Sequence, residues 1–207
     1  MKTKPTNTLE KFFWSQGFKH IAGVDEAGAG PLAGPVVAAA VVFGNDFNVE
    51  TLADVNDSKR ISSAGREELY SNILKSCLHY GVGLVEASEI DDTNIFQARF
   101  LAMKRALEHI PNVNAIIIDG PHTIADIKKP QFAVVDGDAK VFSVAVASIV
   151  AKVHRDNLMR ELALQYPQYK FDQHMGYATK LHRELLLKYG PCPIHRLSFL
   201  TNIYETS

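Results

Sequence analysis

Apolar and polar positions alternate along the chain with periods that change from block to block, and each period predicts an element. Residues 21–24 and 36–43 are β-branched or small and apolar, so they read as strands around a turn containing Gly28, Gly30 and Gly34. The stretch SSAGREELYSNILKSCLHY, from Ser62, opens on serine caps and repeats Leu69, Ile73, Leu74 and Cys77 at helical spacing. It predicts an amphipathic helix. GVGLVEA, from Gly81, is a further strand, and Ile95, Phe96, Phe100, Met103 and Leu107 mark the helix after it. NAIIIDG, residues 114–120, is a buried strand ending at an acid; QFAVVDGDA, residues 131–139, repeats that form. Helices are expected over 8–16, 142–164 and 179–189, with a short one in the tail HRLSFLTNIY. Strands come first, then alternation, then helices. That order predicts an α/β domain whose C-terminal helices pack on or beside the sheet.

Composition narrows the partners. The 207 residues are 46% hydrophobic and 22% charged, which suits a folded domain, and a net charge of -1 argues against a uniformly basic surface. From Lys140 onward, however, nine Lys/Arg face five Asp/Glu, and four of the eight His lie there. Cys77 and Cys192 are far apart and outside any C-x-x-C pattern, which argues against zinc or a disulfide framework. The N-terminus has lysines but no apolar signal core, and no run approaches a membrane span. A monomeric cytoplasmic protein without membrane contact is the expectation.

Candidate chemistry lies in four acids. Asp25 and Glu26, Asp119, and Asp138 each follow a short apolar run and stand near a glycine. Strand ends can converge at one sheet edge, where ligand sites of α/β proteins form. Adjacent strand residues point to opposite faces, so Asp25 and Glu26 share a site only if the backbone turns or Glu26 uses its longer reach. Converging carboxylates repel unless protonated or neutralised by cations. Oxygen donors without Cys point to Mg²⁺ or Mn²⁺, and two such ions about 4 Å apart are suited to phosphodiester hydrolysis. Asp136 reads as the turn residue beside Asp138. Gly28-x-Gly30-x-x-Ala33 formally matches a dinucleotide fingerprint, but a strand-like run follows it where a helix is needed. An oxidoreductase is therefore the weaker reading.

GVDEAGAGPLAGPVVAAAVV, NDSKRIS, IIIDG, GDAKVFSVAVASIVAKVHRD, HMGYAT and HRLSF resemble, in order and spacing, the motifs of bacterial ribonuclease HII. The resemblance runs from about residue 21 to 199. It implies a ribonuclease H-like α/β fold, with a mixed five-stranded sheet flanked by helices and a C-terminal helical part. It also implies one catalytic domain over 1–207, with about 165–207 as a helical substrate-binding extension. The family cleaves the RNA strand of RNA–DNA hybrids and nicks DNA 5′ to embedded ribonucleotides, using Mg²⁺ or Mn²⁺ and leaving 3′-hydroxyl and 5′-phosphate ends. Its metal-binding acids fall on Asp25, Glu26, Asp119 and Asp138, the set the chemistry had selected.

The resemblance carries further roles. A family Gly-Arg-Gly loop, whose main chain contacts the ribonucleotide 2′-hydroxyl, falls on Gly28, Ala29 and Gly30; Tyr177 matches a tyrosine that stacks on the following deoxyribose. Ser58 and Lys59 are implied at the substrate backbone, and Ser148 and Lys152 near the phosphates. His195, Arg196 and Ser198 are implied as phosphate or structural contacts. Arg155, on the helix face of Ser148 and Lys152, reads as solvated or locally paired with Asp156, and His174 as structural rather than close to a metal or leaving group. Two positions depart from the pattern: Ala29 replaces the usual Arg, and Pro121 stands where many relatives have Asn. Ala29 keeps alive a second reading, a hybrid-binding protein with impaired junction cleavage. A sliding clamp is a candidate partner, although no strong docking motif follows Phe199.

Overall fold

The computed structural model describes residues 4–57 and 62–201. Five strands, β1 (Ile21–Ala27), β2 (Val36–Val42), β3 (His79–Val85), β4 (Ala115–Asp119) and β5 (Gln131–Val134), form one mixed sheet in the order β3-β2-β1-β4-β5. β1 pairs antiparallel with β2 and parallel with β4; β2 pairs antiparallel with β3, and β4 parallel with β5. β2 is buried along its whole length, as a continuous apolar run should be when both faces of a sheet are covered.

Alternation along the strands divides the core. Ala22 and Val24 of β1 and Ile116 and Ile118 of β4 face helix α4 (Ile95–Glu108). The opposite face packs on α6 (Phe142–Gln165), helped by α1 (Thr8–Ser15) and α2 (Ser63–Ser76). The shorter helices are α3 (Ala87–Asp92), α5 (Gly137–Lys140), α7 (Phe171–His174) and α8 (Lys180–Tyr189). Among the described residues no helix is long and apolar enough to cross a membrane.

Several expectations change in detail. The buried stripe of α4 consists of Ala98, Ala102, Met103 and Ala106, whereas Phe96 is 50% exposed. Small side chains let the helix lie low on β3: a Cβ added at Gly81 would stand 2.1 Å from the Ala106 carbonyl oxygen. α2 stops at Ser76 because Cys77 is extended, so His79 and Tyr80 belong to β3 rather than to the helix. The tail forms a 3-10 turn at Leu197–Phe199. The 131–139 block is a strand only to Val134. Asp136 then adopts left-handed φ 56°, which ends the strand and starts α5, placing Asp138 on a helix instead of a strand end.

The chain start is tied to the middle of the molecule. Glu10 of α1 is buried, and its Oε1 accepts the Ser143 N–H at 2.8 Å, capping α6 from another element. Burial raises the Glu10 carboxyl above its ordinary range.

Candidate active site

Because β1 and β4 run parallel, Asp25 and Asp119 arrive at the same sheet edge, at the carboxyl ends of neighbouring strands. Asp25 shares the α6 face with Ile21, and Asp119 shares that face with Ala115 and Ile117. Glu26 belongs to the α4 face with Ala22 and Val24, and there its Oε1 lies 2.5 Å from Arg99 Nε. β1 remains regular through both acids, with Asp25 opposite Ala39 and Glu26 opposite Ala38. The glycine turn begins only at Gly28, so it does not redirect either side chain.

Electrostatics follow from this crowding. Asp25 is 6% exposed, and its Oδ1 accepts the Glu26 N–H at 2.7 Å. Burial raises its carboxyl well above the ordinary range, and the Glu26 and Asp119 charges push it further. Hydrogen bonding from the Glu26 amide and the Ser148 hydroxyl works in the other direction. Glu26 is also raised, chiefly by burial, with Arg99 opposing; its Oε2 is buried without a hydrogen-bond partner. Asp119 Oδ1 accepts N–H groups from Gly137 at 2.7 Å and Asp138 at 3.4 Å, holding the start of α5 against the strand. Asp138 thereby stands next to Asp119, half-buried, while exposed Asp136 is the turn residue, 3.7 Å from Lys140 Nζ. Among the described residues no group of three or more His, Cys, Asp or Glu has the geometry to hold a metal ion, with Glu26 drawn to Arg99 on the far face.

Two buried arginines hold the loop after β1. Arg196, 0% exposed, donates to the carbonyls of Gly28 at 2.7 Å, Ala29 at 3.0 Å and Gly34 at 2.8 and 3.0 Å. Arg155, also 0% exposed, donates to Ala33, Pro35 and Met175. A bent loop has many carbonyls without ladder partners, and the planar guanidinium fork satisfies several at once. Gly28 has φ +91°, and a Cβ there would meet Arg155 Nε at 2.1 Å. Gly30 is exposed and an added Cβ would stand in open space. Of the two roles implied for Arg196, phosphate or structural contact, its burial against the loop carbonyls favours the structural one. His195 moves likewise, being 2% exposed, with Nδ1 accepting the Cys192 N–H and Nε2 against His182. Ser198 is bound to Asp91 through its amide and hydroxyl.

An open cleft of about 380 Å³ runs beside the acids, lined by Glu26, Gly28, Arg66, Ser148, Lys152 and Tyr177 among others. Ser148 and Lys152 are one turn apart on α6, so they share its cleft face. Lys152 Nζ pairs with Asp156 at 2.7 Å and lies 5.8 Å from the centre of the Tyr177 ring, as does the Arg155 guanidinium. Tyr177 is 43% exposed. Ser58 and Lys59 lie outside the described residues.

Sequence reasoning missed Arg66 and Arg99. Arg66 follows Lys59 by seven residues and stands directly before Glu67 and Glu68, a weak signal. Arg99 sits within an apolar helix, and nothing local announces a partner 73 positions earlier.

Comparison with known proteins agrees with this architecture. The family model for Ribonuclease HII matches residues 22–202. A Ribonuclease HII of Caldicellulosiruptor saccharolyticus is 47% identical over 195 residues, 94% of each chain. The ribonuclease H2 structure from Pyrococcus horikoshii OT3 superposes with a TM-score of 0.73 at 29% identity, covering 90% of this chain and 98% of that one. The ribonuclease HII in a PCNA complex from Archaeoglobus fulgidus gives 0.69 at 26% identity, covering 88% and 96%. With the acids at the sheet edge, the fold and these relatives together, the chain belongs to the ribonuclease HII family and is a type 2 ribonuclease H.

Proposed function

We propose that the chain cleaves the RNA strand of RNA–DNA hybrids and nicks DNA on the 5′ side of an embedded ribonucleotide, leaving 3′-hydroxyl and 5′-phosphate ends. The observation that carries the reading is the juxtaposition of Asp25 and Asp119 at one sheet edge beside a cleft bearing Ser148, Lys152 and Tyr177.

The acids suit divalent cations. Asp25 is destabilised as a carboxylate by burial and by its acidic neighbours, and Glu26 Oε2 has no hydrogen-bond partner. A dication relieves both conditions. All the donors are oxygens, which favours Mg²⁺ or Mn²⁺; Asp25, Glu26, Asp119 and Asp138 would hold it once their carboxylates draw together and Glu26 leaves Arg99. When bound, such ions activate water and stabilise the leaving oxygen.

The remaining residues bind and orient the substrate. Lys152 offers positive charge to a phosphate at the cleft wall, and Ser148 supports Asp25 through its hydroxyl. Tyr177 presents an exposed aromatic face on which a sugar can stack. The main chain at Gly28 and Gly30 reads the 2′-hydroxyl, the group that separates RNA from DNA. Ala29 contributes no side-chain contact to phosphate. A charged hydrogen bond of that kind contributes roughly 1.5–3 kcal/mol. The biological role that follows is removal of ribonucleotides from DNA in the cytoplasm.

The decisive assay compares duplex DNA carrying one ribonucleotide with an all-RNA/DNA hybrid, in Mg²⁺ and in Mn²⁺, alongside Ala29→Arg. Cleavage of both substrates by the unmodified chain is expected, with the nick 5′ to the ribonucleotide. Loss confined to the single ribonucleotide and restored by Ala29→Arg would assign Ala29 a defect in junction recognition. Hybrid binding with no cleavage in either metal would overturn the proposal.

A further inference from the structure

Three histidines that the proposed chemistry does not use are buried together beneath Tyr177. His174, His182 and His195 are 7%, 0% and 2% exposed, and the rings of His174 and His182 stack at 4.3 Å. Their hydrogen bonds fix a unique set of neutral tautomers. His182 Nδ1 lies 2.9 Å from the Tyr177 carbonyl oxygen, which can only accept, so the proton is on Nδ1. His182 Nε2 is then an acceptor, and its partner 3.1 Å away, His195 Nε2, is the donor. That assignment agrees with the far side of His195, whose Nδ1 accepts the Cys192 N–H at 2.9 Å. On the near side, His174 donates from Nε2 to the Tyr169 carbonyl at 2.8 Å and accepts the Gly176 N–H at Nδ1.

The chain of bonds joins two parts of the cleft. His195 forms an isolated bridge with Ala33, and Arg196 beside it donates its N–H to the Leu32 carbonyl while its side chain holds Gly28, Ala29 and Gly34. At the other end, His182 reaches the main chain of Tyr177, and Leu32 N–H donates to the Gly176 carbonyl. The glycine loop and Tyr177 are therefore connected by a directional relay from Cys192 through His195 and His182.

We propose that His182 is a positioning residue: its Nδ1–H anchors the Tyr177 backbone and, through His195, sets the aromatic ring in register with the glycine loop. This rests on the proposed role of Tyr177 as a substrate-facing aromatic. A ring held this way affects how substrate is bound and aligned and leaves the acids untouched.

The test uses the full chain and duplex DNA with one ribonucleotide. His182→Phe, which keeps a ring and removes the donor, should raise KM roughly tenfold with kcat little changed, a coupling of the size seen between contacting residues. His182→Asn, whose amide can still donate near the Nδ1 position, should recover most of that loss. In a Tyr177→Ala background, His182→Phe should add less than about twofold. Equal losses in both backgrounds, or a fall confined to kcat, would overturn the inference while leaving the proposed function standing. No cleavage by the unmodified chain would overturn both. Imidazole ¹⁵N shifts of the intact protein decide the matter even if the variants fail to fold: protonation at Nδ1 of His182 is expected, and protonation at Nε2 overturns the relay.

Discussion

Arg99 and Glu26 meet at 2.5 Å on the face of the sheet opposite Asp25, so adjacent acids of one strand have different partners. The contact is ionic rather than an aligned hydrogen bond, since Arg99 Nε is without a hydrogen-bond partner. It offsets the burial of Glu26 in the absence of another cation.

Replacing Arg99 with Met leaves a buried carboxylate unpaired and should cost about 1–3 kcal/mol of stability near neutral pH. Burial has already raised the Glu26 carboxyl, so it protonates early as pH falls, and the deficit should shrink toward acid. Urea denaturation of both proteins across that range measures the difference. An equal deficit at every pH would mean that Arg99 acts by packing alone.

Asp25→Asn removes a buried charge held beside two other acids while keeping the carbonyl that accepts the Glu26 N–H. The protein without added metal should gain about 1 kcal/mol, and cleavage should fall on the order of a hundredfold or more. Thermal melting and hybrid cleavage, run on one preparation, check both halves. A variant that loses activity together with stability would contradict the electrostatic account.

Two glycines two residues apart should behave differently. Gly28→Ala combines a left-handed backbone with a clash against Arg155 and should lose about 2–4 kcal/mol. Gly30→Ala faces open space and should stay within about 0.5 kcal/mol. If Gly30→Ala nevertheless slows cleavage at an embedded ribonucleotide, the loop backbone is approached by substrate there.

The histidine cluster makes an acid-sensitive contribution. Burial lowers His182 and His195 to about 4 from 6.5, so between those values the unfolded chain binds more protons than the folded one. Their contribution is complete above about 6.5 and is lost as pH falls toward about 4. The raised carboxyls of Glu10, Asp25 and Glu26 have the opposite dependence, so the readout is a comparison. The urea-midpoint deficit of His182→Asn relative to the unmodified chain should shrink as pH falls across this window.

Strands that are apolar without interruption, such as β2, were legible because continuous burial leaves no competing period. The placement of Asp25 and Asp119 was legible because each ends an apolar run on its strand. Orientation followed only in part: Asp25 and Glu26 were expected to share a site through a backbone turn or the longer reach of Glu26. The turn begins only at Gly28, however, and Arg99 as the partner of Glu26 depends on a helix 73 residues away. Arg196 was ambiguous for a related reason. A basic residue can serve a phosphate or the protein, and only the bent loop it contacts, whose carbonyls no strand can satisfy, favours the second. Asp138 reads as a strand-end acid because it closely follows the apolar run of 132–135; the left-handed backbone of Asp136 ends the strand before it.

The cap that Glu10 places on Ser143 spans 133 positions of sequence. All five strands lie between the two partners in sequence, so this single contact closes around the entire sheet. The loop it ties is long, and the entropy of closing it is recovered only when α6 is already seated on the sheet.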